Sequence, residues 1–338
     1  MQLETQTRIR EISLGIKKIH EDLRSKYSIL SHQNVMGFLI FSLSIAAIVC
    51  SFIMWWNYII PSWACIVLIA FFTSFLHELE HDLIHELYFK KYQLIYHLMM
   101  VGVYVFRPLT LSPWYRKFWH HYHHQNSGTV TDIEERGVSN GEKWSLLRLI
   151  IIPDLLLSFV LRYPRLSKEI KMAYQNGELK SEDFKQLKKT ILFGMLPLGI
   201  PLYLMWYLYL VLSLLMYFGL DLNTEPMLTF CTPFVVGLIA PNLIRQFCLH
   251  FITSNMHYYG DIEKGNIIEQ TQVLNAWWTI PFHLFCFNFG GTHAIHHFVV
   301  NEPFYLRQLA ASKSHVIMRN FGVRFNDFGS FKRANRYH

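Results

Sequence analysis

The chain carries little charge. Only 16% of its 338 residues are charged, whereas soluble domains have about 25%. Hydrophobic residues make up 52% of the sequence and aromatic residues 16%. This composition excludes an ordinary soluble domain and is typical of a protein that is embedded in a membrane.

Cysteine is also scarce. The five cysteines lie in or near apolar segments without paired spacing, and they are Cys50, Cys65, Cys231, Cys248 and Cys286. We therefore expect reduced, buried thiols, and neither disulfides nor an iron–sulfur or thiolate zinc site. The sequence also lacks a haem or flavin motif, so the electrons for a redox reaction would have to come from another protein.

Four apolar runs are long enough to cross a bilayer, for which a helix needs about 20 residues. They cover residues 35–56, 59–76, 191–218 and 227–244. Short connections join the first two runs and the last two. The sequence therefore predicts an all-α membrane protein with four transmembrane helices arranged as two hairpins. The apolar segment 95–106 is too short to cross, and we expect it to be buried or re-entrant.

The basic residues are distributed unevenly. Lys and Arg are concentrated near the N-terminus, in residues 77–189 and after residue 245, whereas the two short connections contain neither. By the positive-inside rule, the connections face the outside of the membrane. We therefore expect a multi-pass membrane protein with both termini and a histidine-rich cap on the cytosolic side.

Residues 5–31 carry apolar side chains at steps of three and four, with basic residues between them. This pattern predicts an amphipathic helix, which either lies in the membrane surface or packs on the protein's own cytosolic face. Charge interrupts the segment 146–161, which favours an interfacial helix. We divide the chain into an amphipathic N-terminal helix at 1–34, a membrane domain at 35–300 and a basic C-terminal tail at 301–338.

Histidines occur in three clusters beside apolar segments. The clusters are His77-x-x-x-His81, His120-x-x-His123-His124 and His293-x-x-His296-His297. On a helix, a spacing of three or four residues places side chains on one face. The adjacent histidine in each of the two later clusters points about 100° away, where it can reach a second metal ion.

The number of histidines fits two metal ions. Two ions with four or five ligands each need roughly eight to ten donors. The clusters supply eight imidazoles, and His257 would be a ninth. Neutral imidazole suits iron, zinc, copper and nickel.

This three-box pattern resembles the membrane fatty acid desaturase and hydroxylase superfamily, over roughly residues 35–300. The resemblance implies a non-haem centre of two iron ions that uses O₂ to remove hydrogen from an acyl chain. It also implies a membrane lipid or acyl substrate and an external electron donor, either a ferredoxin or a cytochrome b5-like protein. We expect no nucleic-acid partner. Transferred to this chain, the implied iron ligands are His77, His81, His120, His123, His124, His257, His293, His296 and His297.

Other polar residues near the boxes are candidates for the same site. His85 extends the first box and can be a further ligand, an outer base or a surface residue. Metal-bound imidazoles usually donate their second N–H to a carboxylate, and the nearby acids are Glu78, Asp82, Asp132 and Asp261. Asn126 and Asn255 can hydrogen-bond a water molecule on the metal.

The resemblance favours a desaturase that forms a C=C bond in the acyl chain of a lipid, an acyl carrier or a CoA ester. A lipid or alkane hydroxylase is the alternative, because the His-x-x-x-His spacing of the first box also occurs in hydroxylases of the superfamily. A histidine-rich metal transporter is a third hypothesis. A transporter, however, places ionisable ligands inside its spans, whereas here the clusters lie beyond the ends of the apolar runs.

Overall fold

The computed structural model describes residues 2–129, 131–132, 134–135, 142–220 and 224–338. This part of the chain is mostly helical, and its one sheet consists of two very short strands. The structure therefore confirms the predicted all-α class.

The helices follow one another with short connections. They are α1 Gln2–Lys26, α2 Gln33–Trp56, α3 Ser62–Ile84, α4 Gln93–Phe106, α5 Pro113–Asn126, α6 Leu146–Ile151, α7 Leu155–Gln175, α8 Ser181–Phe193, α9 Gly199–Tyr217, α10 Glu225–Thr253, α11 Ile267–Gln270, α12 Ile280–Phe285, α13 Phe289–Phe298 and α14 Phe304–Asn320. A π-helical turn, Val235–Ile239, interrupts α10. Strands β1 Gln272–Val273 and β2 Arg324–Phe325 pair in parallel. Single 3₁₀ turns lie at Ser28–Ser31, Trp277–Thr279 and Phe328–Phe331.

Four helices of the described chain are long and apolar enough to cross a membrane, namely α2, α3, α9 and α10. They correspond to the four predicted spans. Three of them differ from the predicted bounds, since α9 begins only at Gly199 and α10 continues to Thr253. Likewise α3 does not end with its apolar run but continues to Ile84. The first histidine box is therefore a direct extension of a membrane helix, and it inherits the direction of that helix.

The short apolar helix α4 packs one face against α3. Tyr96, Met99, Met100 and Val103 are buried on this face. Leu98 and neighbouring apolar residues are exposed on the other face. The helix is thus only half covered by the described chain.

Helix α1 packs on the protein itself. Ile12 and Ile16 are fully buried in a cluster that also contains Ile295 and Met318, from α13 and α14. Arg24 forms an ion pair with Glu302, with a nitrogen–oxygen distance of 2.6 Å. Of the two alternatives for the N-terminal helix, the structure therefore favours packing on the protein's own surface.

The C-terminal residues also belong to this packed layer. The segment 301–338, predicted as a basic tail, contains α14 and β2, and Phe304 and Leu306 are buried. We call the layer formed by α1, α5, α13, α14 and the loop between α10 and α11 the histidine cap. It holds seven of the nine histidines described next, and the other two are carried by the extension of α3.

Candidate metal centre

Nine buried or partly buried histidines converge in two groups. The five-histidine group consists of His81, His85, His120, His124 and His296, and the four-histidine group of His123, His257, His293 and His297. Within each group, one nitrogen from every imidazole lies within 4.8 Å of the corresponding nitrogens of the others. Each group can therefore surround one ion.

Helix geometry explains how the boxes divide between the two groups. His120 and His124 are one turn apart on α5 and join the same group, while His123 points to the other. On α13, His296 and His297 likewise separate. Successive helical residues are about 100° apart, so one helix serves two neighbouring sites.

The nitrogen distances suit metal ligation. The Nε2 atoms of His120 and His124 are 3.1 Å apart, and those of His124 and His296 are 3.0 Å apart. In the four-histidine group, Nε2 of His293 lies 3.1 Å from Nε2 of both His257 and His297. Imidazole nitrogens bind such metals at about 2.0–2.1 Å from the ion. Two nitrogens bound to the same ion therefore lie roughly 3 Å apart, as these pairs do. The donor set, which consists only of imidazoles, fits iron among other transition metals.

Burial keeps most of these imidazoles neutral. Desolvation lowers the pKa of His85 to about 3. It also lowers the pKa of the following histidines of the two groups well below the usual value: His120, His124, His257, His293, His296 and His297. Only the neutral ring has a free lone pair for a metal ion. The buried groups are therefore ready to bind a cation at neutral pH.

His123 differs because acids surround it. Burial acts to lower its pKa, but attraction to Asp132, Glu135 and Glu134 outweighs burial and raises the pKa to about 10. Nδ1 of His123 lies 2.9 Å from Oδ2 of Asp132. A metal ion at Nε2 would displace a proton that the metal-free protein retains.

Two acids that follow α5 contact the Nδ1 atoms of imidazoles in the two groups. Asp132 contacts Nδ1 of His123, and Glu134 lies 3.0 Å from Nδ1 of His120. Each carboxylate accepts the Nδ1–H and so directs Nε2 of the ring into its group. The sequence identifies Asp132 as a candidate for this role, but it does not single out Glu134. The acid-rich segment that follows the second box was the available signal.

A third acid in this segment faces the four-histidine group. Oε1 of Glu135 is 3.6 Å from Nε2 of His257. The carboxylate of Glu135 thus approaches Nε2 of His257, the nitrogen that also faces His293.

The remaining candidate acids have other partners. Asp82 accepts hydrogen bonds from Arg307, from the hydroxyl of Tyr88 and from the backbone N–H of Phe304. It thereby joins α3 to α14 beside His81, whose Nδ1 is 3.8 Å from Oδ1 of Asp82.

Glu78 lies 3.7 Å from Arg307, and Asp261 accepts the backbone N–H groups of Tyr337 and His338. Neither carboxylate forms a described hydrogen bond to an imidazole of the two groups. Both therefore stabilise packing around the centre.

The two asparagines are also accounted for. Asn126 donates to the carbonyl of Tyr122 and accepts from Lys264. Asn255 contacts the hydroxyl of Ser330 through Oδ1, and its Nδ2 is buried without a partner among the described residues. Of the two, only Asn255 keeps a buried donor without a partner among the described residues, and it does not line the cavity beside the histidines.

The structure brings eight of the nine predicted ligands together and leaves His77 outside both groups. His85 is in the five-histidine group instead. Helices α5 and α13 meet α3 at its C-terminal end, so the imidazoles of His81 and His85 are within reach. His77 lies one turn further into the stem, where Arg107 donates a hydrogen bond of 2.9 Å to its Nδ1.

His257 is the only ligand of the described groups that lies away from a helix or helix end. Its loop is held on one side by the backbone of residues 270–272. On the other side, Nδ2 of Asn335 donates to the carbonyls of Ser254 and His257, at 2.7 and 3.2 Å. Arg148 donates to the carbonyl of Ser254 and to Oδ1 of Asn335. No local pattern in the sequence indicates this role of Asn335.

A cavity opens against both groups. His81 and His120 of the five-histidine group line it, as do His123 and His293 of the four-histidine group. Helices α7, α8 and α10 supply an apolar wall that includes Leu155, Phe159, Leu166, Ile191 and Leu249. An apolar group of a ligand can therefore lie beside both candidate metal sites.

The five cysteines have no part in this centre. All are free thiols, and four of them are buried. Among the described residues, both groups consist of histidine alone. The expected burial therefore holds for four of the five cysteines, whereas Cys50 is exposed.

Comparison with known proteins identifies one family. The family described as "Fatty acid desaturase" matches residues 55–329, which is most of the chain and includes every histidine of both groups. The chain has no significant match among curated proteins or solved structures.

Proposed function

The chain belongs to the fatty acid desaturase family, and from this premise we propose that it is an O₂-dependent lipid oxidoreductase that forms a C=C bond in an acyl chain. Its substrate would be a membrane lipid or another acyl compound. The observation that carries the proposal is the apolar cavity, which both histidine groups line. An acyl chain in this cavity would expose neighbouring carbon atoms to both sites.

We propose that each histidine group holds one iron ion, with His85 as a ligand in place of His77. The bound pair would supply O₂ activation and hydrogen abstraction. The support is the set of nine buried or partly buried imidazoles. Four pairs of their Nε2 atoms are 3.0–3.1 Å apart.

The protein's own residues would prepare this reaction. Asp132 and Glu134 accept the Nδ1–H of His123 and His120 and orient both rings. The apolar wall would position the acyl chain and exclude water, which limits side reactions. Glu135 lines the cavity beside His257 and can accept or return a proton there.

The balanced reaction requires an external electron donor. For desaturation, the substrate loses two hydrogen atoms, while one O₂, two electrons and two protons complete the formation of two water molecules. A ferredoxin or a cytochrome b5-like protein would supply the electrons. The positive-inside pattern supports a cytosolic position for the histidine cap and both termini, where such donors are found.

Hydroxylation is the alternative outcome on the same scaffold. It would leave one oxygen atom of O₂ in the product as an alcohol. The two reactions differ in the position of the substrate carbon, and lipid mass spectrometry distinguishes them. We expect a loss of about 2 Da for desaturation and a gain of about 16 Da for hydroxylation.

The test compares lipids from cells with and without the expressed protein. The variant His123→Ala should abolish the conversion, because it removes a ligand that is held by Asp132. The exposed His97 offers a matched control, since His97→Ala changes the same residue type outside both groups. Full conversion by His123→Ala would refute the metal-centre proposal. About two iron ions that remain bound per purified chain would oppose metal transport.

A further inference from the structure

We propose that His77 donates a hydrogen bond to an oxygen atom of the substrate, so that the substrate carries a hydroxyl or carbonyl group close to the carbon that reacts. This inference rests on the proposed lipid oxidation and narrows its substrate class. His77 is the histidine of the first box that belongs to neither group.

The partner of Nδ1 determines the tautomer of His77. An NH1 group of Arg107 lies 2.9 Å from this nitrogen. Arginine can only donate, so Nδ1 must accept, and the ring is neutral with its proton on Nε2. Glu80 contacts Arg107 and also accepts from Arg116, at 3.2 Å, which fixes the guanidinium in place.

The remaining donor of His77 has no partner in the described protein. Its Nε2 is buried and forms no hydrogen bond there, and the residue is only 1% exposed. The residue nevertheless lines the cavity. A buried N–H group without an acceptor is unfavourable, so a ligand oxygen in the cavity would complete its hydrogen bonding.

The donor lies close to the candidate metal sites. The ring of Phe289 is 5.4 Å from that of His77, 6.4 Å from that of His81 and 4.3 Å from that of His293, measured between ring centres. His77 also precedes His81 by one helical turn, a separation of about 5–6 Å between side chains. An oxygen bound at Nε2 would therefore lie near the reacting carbon.

The surrounding wall supports an oxygenated substrate. Thr110, Gln246 and His250 line the same cavity as His77. The cavity residues from α7 and α8 are mostly apolar, with Arg162 and Thr190 as the exceptions. A neutral N–H donor suits a neutral acceptor, such as a hydroxyl, ester or amide oxygen. The substrate would thus enter with its polar part near α3 and its hydrocarbon along α7 and α8.

The first experiment requires no variant. Lipids modified by the wild-type protein are isolated, and fragmentation mass spectrometry locates the new double bond or hydroxyl. We expect it within a few carbon atoms of an oxygen that the substrate already carried. A modification in the middle of an unsubstituted hydrocarbon chain would overturn the inference while leaving the proposed oxidation intact.

The second experiment separates hydrogen bonding from metal binding. His77→Gln retains an acceptor for Arg107 and a donor for the substrate, whereas His77→Phe retains a ring but removes both. Iron per chain should stay near the wild-type value in each, and only His77→Phe should raise KM, by about tenfold. His97→Phe is the control for an exposed histidine. Equal KM values for the wild type, His77→Gln and His77→Phe would contradict the inference, and so would loss of iron in His77→Gln.

A binding measurement tests the inference without turnover. Thermal stabilisation of the purified protein by 1-hexadecanol is compared with that by hexadecane, which has the same chain without the oxygen. Wild type should favour the alcohol and His77→Phe should not. Equal stabilisation of the wild type by both compounds would refute the hydrogen bond, even if the protein proved not to oxidise lipids.

Discussion

Every member of the five-histidine group lies on a helix or at its end, whereas the four-histidine group takes His257 from the loop between α10 and α11. Helical hydrogen bonds fix the direction of the first set of side chains. The loop instead depends on Asn335, which lies far along the chain. One group is thus built mainly from local structure, and the other also requires a distant contact.

The two groups also differ in their electrostatics. His85 in the five-histidine group has a pKa lowered by burial, while acids raise the pKa of His123 in the four-histidine group. Neutral imidazoles bind a metal without losing a proton, but His123 has to release one. The groups should therefore respond differently to mutation and to pH, and four predictions use this difference.

The largest effect is expected from the ligands themselves. His85→Ala removes a member of the five-histidine group and should abolish lipid conversion, with bound iron falling from about two ions to about one per chain. His77→Ala, one box position away, should keep both ions. Iron is measured by mass spectrometry of the purified protein. The reverse pattern would return His77 to the metal centre.

The carboxylates behind the ligands should give the next largest effect. Asp132→Asn should weaken metal binding in the four-histidine group by roughly 10–100-fold, because the acceptor for Nδ1–H of His123 is weakened. Glu134→Gln should do the same in the five-histidine group through His120. Competition with a chelator gives the affinity of each ion. If both variants weakened the same ion, the division into two groups would be incorrect.

Asn335→Ala should affect only the four-histidine group. It removes donors to two buried carbonyls around His257, at a cost of about 1–3 kcal/mol. We expect metal affinity to fall in this group while the other retains its ion. Asn335 and Asn326 both have a positive φ. The side-chain amide of Asn326 donates only to the exposed Asn275, so Asn326→Ala is the matched control. Loss of both ions in Asn335→Ala would indicate general unfolding.

The smallest effect is the pH dependence of the metal-free protein. Folding lowers the pKa of His85, so as the pH falls this histidine takes up a proton in the unfolded chain before it does so in the folded protein. The stability of the folded protein should therefore fall as the pH drops below about 6.5. The pKa of His123 is raised to about 10, so its contribution is present below about 6.5 and lost as the pH rises towards 10.

Thermal unfolding at several pH values measures both effects. Asp132→Asn should flatten the alkaline side, because the main charge that raises the pKa of His123 is gone. The acid side should remain. An unchanged alkaline slope in this variant would exclude the His123–Asp132 pair as its cause.

Much of the architecture was accessible from the sequence because it depends on short-range physics. Long apolar runs predict spans, and all four appear as helices. The spacing of His120, His123 and His124 predicts that α5 serves two neighbouring sites, since adjacent residues differ by about 100°. The spacing leaves open whether His120 shares its group with His123 or with His124. The number of donors likewise predicts two metal ions, and this stays a prediction.

Tertiary contacts decided what periodicity leaves open. His77, His81 and His85 are equivalent by spacing, and the place where α5 and α13 meet α3 selects the last two. Glu134 and Asn335 act on ligands through contacts that no local pattern encodes. The sequence by itself therefore determined the membrane helices and the supply of imidazoles. Only the packing of the cap determined which imidazoles converge, because that depends on where distant helices meet.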